Sequence, residues 1–364
     1  MDIAVIGGGN GSFAAAAEFS EQAHDVRWWR RDKEGHEAVS RAGGLTVKDR
    51  NGDRQVTINT ITNDLGEAVR GAQLIVIPLP ATTHESLAPQ LAQVLEPGQV
   101  VFLPPGTFGS FLFAKALYEV RPEVDVSFAE TGTLPYLVRK HGPTEIVVSG
   151  YATRLPTGVF PARNADHAFG VLEDAYPSVE RIEDALSGAL MNAGPIIHPP
   201  LIIMNAAPLE HFETWDIHNE GTQPSTRHVT DRLDQERIAI RKALGYKAPH
   251  FPLRDHYQDD GDEWMYGRKA HDELTDSGDW REDIDLQTHR YMLEDTALGL
   301  SLFTSVGRWA GKPMPIGEAL LAMGSAITGE DLYALGRSLE NLGLDKLSTA
   351  DMQTLLHDGM VTLK

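Results

Sequence analysis

The feature that most constrains this chain is a glycine-rich loop close to its N-terminus. Residues 3–6 are an apolar run that predicts a buried strand, and the alanine-rich residues 12–23 predict a helix. The residues between them fit the pattern G-x-G-x-x-G with serine in the third position. Such a loop lets a pyrophosphate approach the backbone and offers it the N–H groups of a helix N-terminus. We therefore predict that it binds the phosphates of a dinucleotide, rather than forming only a tight turn, through Gly7, Gly9, Asn10, Gly11 and Ser12.

The order of predicted elements indicates two domains in the 364 residues. In the first half, strand-like or extended runs alternate with helices, which is typical of a doubly wound parallel sheet. These runs are residues 3–6, 26–29, 56–61, 74–77, 100–103, 124–129 and 145–149, and the helices are residues 12–23, 64–72 and 84–95. From residue 184 onward helical periodicity dominates, at residues 184–211, 226–244, 288–310, 316–328 and 332–342. We predict an α/β N-terminal domain of the doubly wound, Rossmann type at residues 1–180, and an all-α C-terminal domain at residues 181–364.

The end of the second predicted strand indicates which dinucleotide is bound. An NAD-binding chain usually has an acid there, which accepts hydrogen bonds from the ribose hydroxyls. This chain has Arg30 and Arg31, and arginine pairs with a 2′-phosphate that a carboxylate would repel. We predict that NADP(H) is preferred and that NAD(H) is possible. In the alternative interpretation both arginines are solvated and Asp32 takes the place of the acid.

Two further loops follow predicted strands at the carboxyl edge of the sheet, where cofactor and substrate meet in such folds. One contains Pro80 and the other contains Pro105. We predict contacts of both loops with the nicotinamide ribose, and the alternative is that they are simple strand-to-helix turns.

Composition and charge exclude several classes of protein. The net charge is −20, so partners with phosphate backbones or anionic lipid surfaces are disfavoured, and we expect no nucleic acid or membrane partner. The chain has no cysteine, and its histidines show no metal-ligand spacing, so we predict no metal site. Prolines interrupt the uncharged residues 189–209, and the first residues do not resemble a signal peptide. We therefore expect a soluble cytoplasmic protein.

A proton donor is needed wherever a hydride is transferred to a carbonyl or imine, and histidine is the commonest choice. His198 has the most unusual setting among the histidines, because apolar residues surround it and prolines flank it. It is either a core histidine or a catalytic one. Asp295 lies in an otherwise apolar predicted helix, where a buried carboxylate needs a partner. Asp295 either orients a catalytic histidine or has an intra-helical or capping role.

Together these segments resemble the octopine/opine dehydrogenase family over nearly the whole chain. The matching pieces are the glycine loop, residues 192–205 around His198-Pro199, residues 234–240 (DQERIAI), Glu294-Asp295 and residues 337–344 (RSLENLGL). The resemblance implies NAD(P)H-dependent condensation of an α-keto acid with the amino group of an amino acid, through reduction of an imine. It also implies that His198 is the acid and base and Asp295 its partner. Arg30 departs from the acid common in the family, and we further expect a homodimer.

Two other functions remain open from the sequence. One is a dehydrogenase that acts on a hydroxyl group, of the ketopantoate-reductase or glycerol-3-phosphate dehydrogenase type. Those families commonly use a lysine as the acid, and no candidate in the helical half lies within an apolar helix core: Lys242, Lys247, Lys269, Lys312 and Lys346. The other is a non-catalytic NADP(H)-sensing protein.

The segment of residues 255–263 is rich in acidic side chains. These side chains either recognise a cationic amine substrate or are simply solvated.

Overall fold

The structure is a computed structural model, and it describes residues 1–258, 260, 263–268, 270–276 and 278–360. Strands with apolar side chains on both faces form the first of its two units. The unit comprises Met1–Leu79, Thr83–Ala189 and residues 354–360. Its strands are β1 Asp2–Ile6, β2 Asp25–Trp29, β3 Leu45–Asp49, β4 Gly52–Val56, β5 Thr60–Thr62, β6 Leu74–Val76, β7 Val100–Leu103, β8 Ser127–Thr131, β9 Tyr136–Lys140, β10 Glu145–Tyr151, β11 Leu155–Phe160 and β12 Val179–Arg181.

The main sheet has eight strands in the order β12-β11-β8-β7-β6-β1-β2-β5. Every neighbouring pair is parallel except β11 and β8, which are antiparallel. The helices of this unit are α1 Asn10–Glu21, α2 Lys33–Ala42, α3 Leu65–Val69, α4 His84–Ala92, α5 Gly109–Val120, α6 Ala165–Ala175 and α7 Ala185–Ala189. Buried apolar side chains of β1, β6 and β7 pack with those of α1 in one core. The predicted doubly wound α/β domain is therefore confirmed.

A second sheet in the same unit was not predicted. Its strand order is β4-β3-β10-β9, and β10 pairs in parallel with β3. The strand predicted at residues 145–149 belongs to this sheet and not to the main one. The extended run predicted at residues 56–61 instead covers the end of β4 and the start of β5. The sheet brings β9 to the glycine loop, where the Lys140 N–H donates to Asn10 Oδ1 at 3.0 Å.

The second unit comprises Pro80–Thr82 and Leu190–Gln353 and is helical, as predicted. A π-helix spans Tyr291–Leu300, and short 3₁₀ turns span Ala81–Thr83 and Leu253–Tyr257. The α-helices from this part of the chain onward are α8 Gly194–Met204, α9 Ala206–His211, α10 Pro224–Ala243, α11 Ala270–Asp276, α12 Ser301–Trp309, α13 Pro315–Thr328, α14 Leu332–Leu335, α15 Leu339–Leu342 and α16 Thr349–Asp358.

Three of the predicted helices were wrong in their extent. Residues 184–211 form three helices, because the chain turns after α7 and Pro195 starts a new helix in the first turn of α8. Residues 288–310 divide into the π-helix and α12. Residues 332–342 form two short helices, α14 and α15, separated by residues 336–338. Among the described residues, one stretch, Ala185–Met204, has the length and hydropathy of a membrane span, but 78% of it is buried within the protein, as in a core helix.

Candidate functional site

The glycine loop has the backbone that its sequence requires. Gly7 has a φ of +116°, which side-chain-bearing residues rarely adopt, and a Cβ there would lie 2.8 Å from Ser12 Oγ. The Ser12 hydroxyl donates to Ile6 O at 3.2 Å, so serine serves in the third position by joining α1 to β1. The indole N–H of Trp28 donates to Gly7 O at 2.7 Å and fixes the turn from the neighbouring strand.

The N-terminus of α1 has the features of a phosphate site. Gly9 precedes the helix, and its φ and ψ are −83° and 177°. No side chain of the described residues caps this helix end, and a Cβ at Gly9 would meet none of their atoms within 4 Å. The loop therefore has space beside the N–H groups of a 12-residue helix, whose dipole favours an anion. Asn10, Gly11 and Ser12 all lie in its first turn, because the helix begins two residues before the predicted start at Ser12.

Arg30 is not a solvated loop charge. Its side chain is 4% exposed, and its guanidinium carbon lies 4.9 Å from the ring centre of Phe13 and 5.0 Å from that of Trp28. Nε and Nη1 are buried and have no hydrogen-bond partner among the described residues, while Nη2 is 3.7 Å from Asp32 Oδ2. Burial lowers the pKa of Arg30, and Asp32 opposes that effect.

The other two residues of this segment differ from Arg30. Arg31 is exposed. Asp32 caps α2, since its two carboxylate oxygens accept from the N–H groups of Glu34 at 3.2 Å and Gly35 at 3.1 Å. The Asp32 carboxylate thus has a local structural role.

Lys140 is a residue of this site that the sequence did not reveal. Its Nζ donates to Gly8 O at 3.1 Å and lies 4.8 Å from the ring centre of Phe13. Burial lowers the pKa of Lys140, and the positive charge of Arg30 lowers it further. Lys140 is separated from Gly8 by 132 residues, so no local pattern could have indicated it.

The structure places Pro80 and Pro105 in different surroundings. Pro80 is half-buried and begins the short segment that folds with the second unit. In that segment the Ala81 N–H donates to Glu294 Oε1 at 2.7 Å, and Ala81 O accepts from Arg337 Nη2 at 2.8 Å. Pro105 is half-buried in the first unit, next to Thr107 and Phe108, whose φ values of 53° and 60° are unusual for such residues. Their contact with a nicotinamide ribose stays a prediction.

In the second unit, His198 and Asp295 form a hydrogen-bonded pair. His198 Nδ1 lies 2.8 Å from Asp295 Oδ2, although 97 residues separate the two in sequence. The side chains are 15% and 7% exposed respectively. The ring of Tyr291 is stacked on the His198 imidazole at a centroid distance of 3.7 Å, which restricts the orientation of the imidazole.

Two glycines allow the helices that carry this pair to approach closely. A Cβ at Gly194 in α8 would lie 2.1 Å from Asp295 Oδ1. A Cβ at Gly299 in the π-helix would lie 2.2 Å from Pro195 Cγ. The π-helix also changes which side chains share a face, and such segments are frequent at functional sites. Close packing and an unusual helix together bring Asp295 to His198.

Burial raises the pKa of both adjacent carboxyl groups of the π-helix. Burial raises the pKa of Asp295 to about 7, while Arg290 and His289 oppose the rise. Burial raises the pKa of Glu294 to about 7 as well, and the charge of Asp295 adds to the rise. A buried carboxyl that holds a histidine through a hydrogen bond is suited to orient that histidine for proton transfer.

Arg290 is a cation close to this pair that sequence reasoning did not select. Its side chain is 45% exposed, and Nη1 lies 3.8 Å from Glu294 Oε2. The guanidinium carbon lies 4.9 Å from the ring centre of Tyr291, the same ring that stacks on His198. A solvent-accessible guanidinium next to an acid–base pair is suited to hold a carboxylate.

The structure says little about the acidic residues 255–263 or about a metal site. Asp259 and Asp262 lie outside the described residues, whereas Asp260 and Glu263 are exposed. Asp255 Oδ1 lies 3.6 Å from Arg254 Nε. Among the residues that the structure describes, no group of three or more His, Asp or Glu side chains is arranged to hold a metal ion.

Comparison with known proteins agrees with these features. Residues 181–328 match the alpha-helical domain of NAD/NADP octopine/nopaline dehydrogenase, and residues 2–104 match the N-terminus of NAD-dependent glycerol-3-phosphate dehydrogenase. The opine dehydrogenase of Arthrobacter sp. (strain 1C) is 28% identical over 357 residues, which cover 96% of this chain and 97% of that protein.

Solved structures share the fold over the whole chain. Octopine dehydrogenase with NADH and L-arginine has a TM-score of 0.73 at 19% identity, and 98% of each chain is covered. Yersinopine dehydrogenase bound to NADP⁺ has a TM-score of 0.66 at 14% identity, again with 98% of each chain covered. A dinucleotide-binding sheet unit and a helical unit of this kind define a two-domain NAD(P)-binding oxidoreductase. Within that class the chain is similar to the octopine/opine dehydrogenase family, the resemblance that its sequence predicted. The homodimer and the cytoplasmic location stay predictions.

Proposed function

We propose that this protein is an NAD(P)H-dependent opine dehydrogenase. It would join an α-keto acid to the amino group of an amino acid and oxidise the product in the reverse direction. The observation that carries this proposal is the 2.8 Å hydrogen bond between His198 and Asp295. Both residues lie within residues 181–328, the part of the chain that matches the octopine/nopaline dehydrogenase domain.

The pair supplies the proton chemistry of the reaction. Keto acid and amine first add to form a carbinolamine, whose hydroxyl must leave as water to give the imine. His198, held through Nδ1 by Asp295, donates a proton from Nε2 to that hydroxyl, and the Asp295 carboxylate stabilises the imidazolium beforehand. In the oxidative direction His198 takes a proton from the water that attacks the imine. The bound dinucleotide supplies or accepts the hydride.

We assign Arg290 to the carboxylate of the keto acid. A guanidinium can bind a carboxylate through two parallel hydrogen bonds. The position of Arg290 beside Tyr291, which stacks on His198, supports this assignment. Arg290 would then orient the keto group relative to the imidazole.

The glycine loop and the start of α1 would hold the pyrophosphate, and Arg30 would select NADP(H). The support for this preference is the burial of Arg30 at the end of β2 with two nitrogens that lack partners among the described residues. An added 2′-phosphate satisfies those nitrogens, whereas a 2′-hydroxyl offers them much less. NAD(H) remains a usable cofactor.

A substrate screen tests the proposed activity. Oxidation of NADPH and NADH is followed with pyruvate, glyoxylate, oxaloacetate or 2-oxoglutarate in the presence of each amino acid, arginine and methionine included. We expect oxidation that requires both substrates. His198→Ala should lower turnover by about 10²- to 10⁴-fold and leave cofactor binding intact. His228→Ala, which removes an exposed histidine from α10, is the matched control. Oxidation that proceeds without any amine would contradict the proposal.

A dehydrogenase that acts on a hydroxyl group is the second candidate, because residues 2–104 match the glycerol-3-phosphate dehydrogenase N-terminus. Such an enzyme would need an acid in the helical unit. Lys269 lies outside the described residues, and the other lysines of residues 181–360 are exposed: Lys242, Lys247, Lys312 and Lys346. Reduction of dihydroxyacetone phosphate or ketopantoate without amine would favour this candidate. Cofactor binding with no turnover on any substrate would indicate a sensing protein.

A further inference from the structure

Two cations, Arg30 and Lys140, lie beside Gly8 of the glycine loop and the ring of Phe13. The Arg30 guanidinium carbon and Lys140 Nζ are 4.9 Å and 4.8 Å from the ring centre of Phe13. Both also border Gly8, since Lys140 Nζ is 3.1 Å from Gly8 O and a Cβ on Gly8 would lie 3.5 Å from Arg30 Nε. Like charges repel each other, and the positive charge of Arg30 lowers the pKa of Lys140.

The nearby acid does not neutralise this pair. Asp32 Oδ2 is 3.7 Å from Arg30 Nη2, and the same carboxylate accepts two N–H groups at the start of α2. Arg30 Nε and Nη1 remain buried without partners among the described residues. A buried cation without full pairing is costly, and a bound anion removes that cost. The arrangement therefore favours a ligand that brings more than one negative charge.

We propose that Lys140 is a second determinant of dinucleotide specificity and, with Arg30, binds the 2′-phosphate of NADP(H). This inference rests on the proposed use of a dinucleotide, not on the proposed amine chemistry. Arg30 occupies the position after the second strand that faces the ribose 2′ group in such folds, whereas the pyrophosphate lies at the helix N-terminus. A phosphate monoester carries about −1.5 to −2 charges at pH 7, which matches two cations.

The contribution of the Lys140 side chain can be tested without disturbing the backbone at this position. The backbone N–H of Lys140, and not its side chain, joins the end of β9 to Asn10. Lys140→Met therefore removes the charge and leaves that anchor in place. Lys48→Met is the matched control, because Lys48 lies on β3 of the same small sheet and its Nζ is paired with Glu145 Oε1 at 2.9 Å. Lys140→Arg keeps the charge.

Binding is measured by fluorescence titration with NADPH and NADH, and by calorimetry with 2′,5′-ADP and 5′-ADP. We expect Lys140→Met to raise the dissociation constants of NADPH and 2′,5′-ADP by about 10- to 100-fold, the weight of one charge-assisted hydrogen bond. Those of NADH and 5′-ADP should change little. Lys48→Met should resemble the wild type, and Lys140→Arg should retain most of the NADPH affinity. Thermal unfolding shows whether each variant is folded, and Lys140→Gln replaces Lys140→Met if the latter is not.

Two results would overturn the proposal. An equal loss of affinity for NADPH and NADH would mean that Lys140 acts on the shared pyrophosphate, and an unchanged NADPH affinity would mean that it does not contact the cofactor. Because both readouts are binding constants, failure of the proposed opine synthesis would leave them unaffected. If Arg30→Met weakens NADPH binding and Lys140→Met does not, the proposed cofactor preference stands and this inference fails.

Discussion

Replacing Asp295 by asparagine tests the proposed catalytic role of this residue and, in a second measurement, its effect on stability. Asparagine has almost the same shape and keeps an oxygen that can accept from His198 Nδ1, but it carries no charge. The substitution therefore removes the negative charge that stabilises the imidazolium. We expect the turnover number to fall by about 10²-fold or more, the scale of an acid–base contribution.

The same substitution should stabilise the fold at alkaline pH. The pKa of Asp295 is raised from 3.8 to about 7 by burial, so the folded state binds a proton that the unfolded state releases. The free energy of unfolding of the wild type should therefore decrease between about pH 4 and pH 7 through this group. At about 1.4 kcal/mol per pKa unit, the wild type loses at most about 4 kcal/mol of its free energy of unfolding, and pairing with an imidazolium makes this loss smaller. Asp295→Asn has no carboxyl group to ionise at this position, so it does not lose this free energy.

Urea unfolding followed by tryptophan fluorescence at pH 5 and pH 8 measures the stability effect. The variant should be more stable than the wild type at both pH values, with a much larger difference at pH 8 than at pH 5. Asp283→Asn, which neutralises an exposed carboxylate on the segment before the π-helix, is the control and should show no such gain. A variant that is less stable than the wild type at pH 8, or a difference independent of pH, would show that burial does not govern this carboxyl. Full turnover would remove Asp295 from the mechanism.

Three further predictions follow from the same contacts. Arg30→Met should raise the dissociation constant of NADPH by about 10- to 100-fold and that of NADH far less. Arg31→Met, at an exposed side chain, should act in the same direction with a smaller effect, and fluorescence titration measures both. Glu294→Gln keeps an acceptor for the Ala81 N–H, so it should raise stability at pH 8 in urea unfolding but lower turnover far less than Asp295→Asn. Gly194→Ala places a Cβ against Asp295, so it should cost about 1–3 kcal/mol of stability and lower turnover; a variant with normal Tm and kcat would contradict the close approach.

The nucleotide-binding end of the protein was largely predictable because it is local in sequence. A strand, the glycine loop and a helix follow one another within residues 2–21, and each is specified by its own residues. Gly7 and Ser12 occupy positions whose backbone and size requirements are known for such loops. Arg30 follows the next strand at the spacing that the fold prescribes. Whether Arg30 was solvated or buried could not be read from the sequence, since that depends on packing against Phe13 and Trp28.

The sequence also identified His198 and Asp295 as unusual, but not as neighbours. Each residue was unusual because its sequence neighbours are apolar. Only the resemblance to a family implied that Asp295 is the partner of His198. Their hydrogen bond spans 97 residues and depends on how closely α8 can approach the π-helix. That approach depends on Gly194 and Gly299, whose roles are visible only once the partner helix is present. A π-helix also cannot be distinguished from an α-helix by apolar periodicity over ten residues.

The sequence by itself therefore determined which chemical groups each short segment carries. These groups are a glycine-rich loop before a helix, an arginine after β2, and a histidine and a carboxylate in apolar surroundings. Only the tertiary structure decided which segments meet. Lys140 reaches Gly8 across 132 residues because two segments far apart in the chain pair as β3 and β10 to form the small sheet. Local patterns report the periodicity and propensity of neighbouring residues, whereas contacts of this kind result from packing and strand pairing between distant segments.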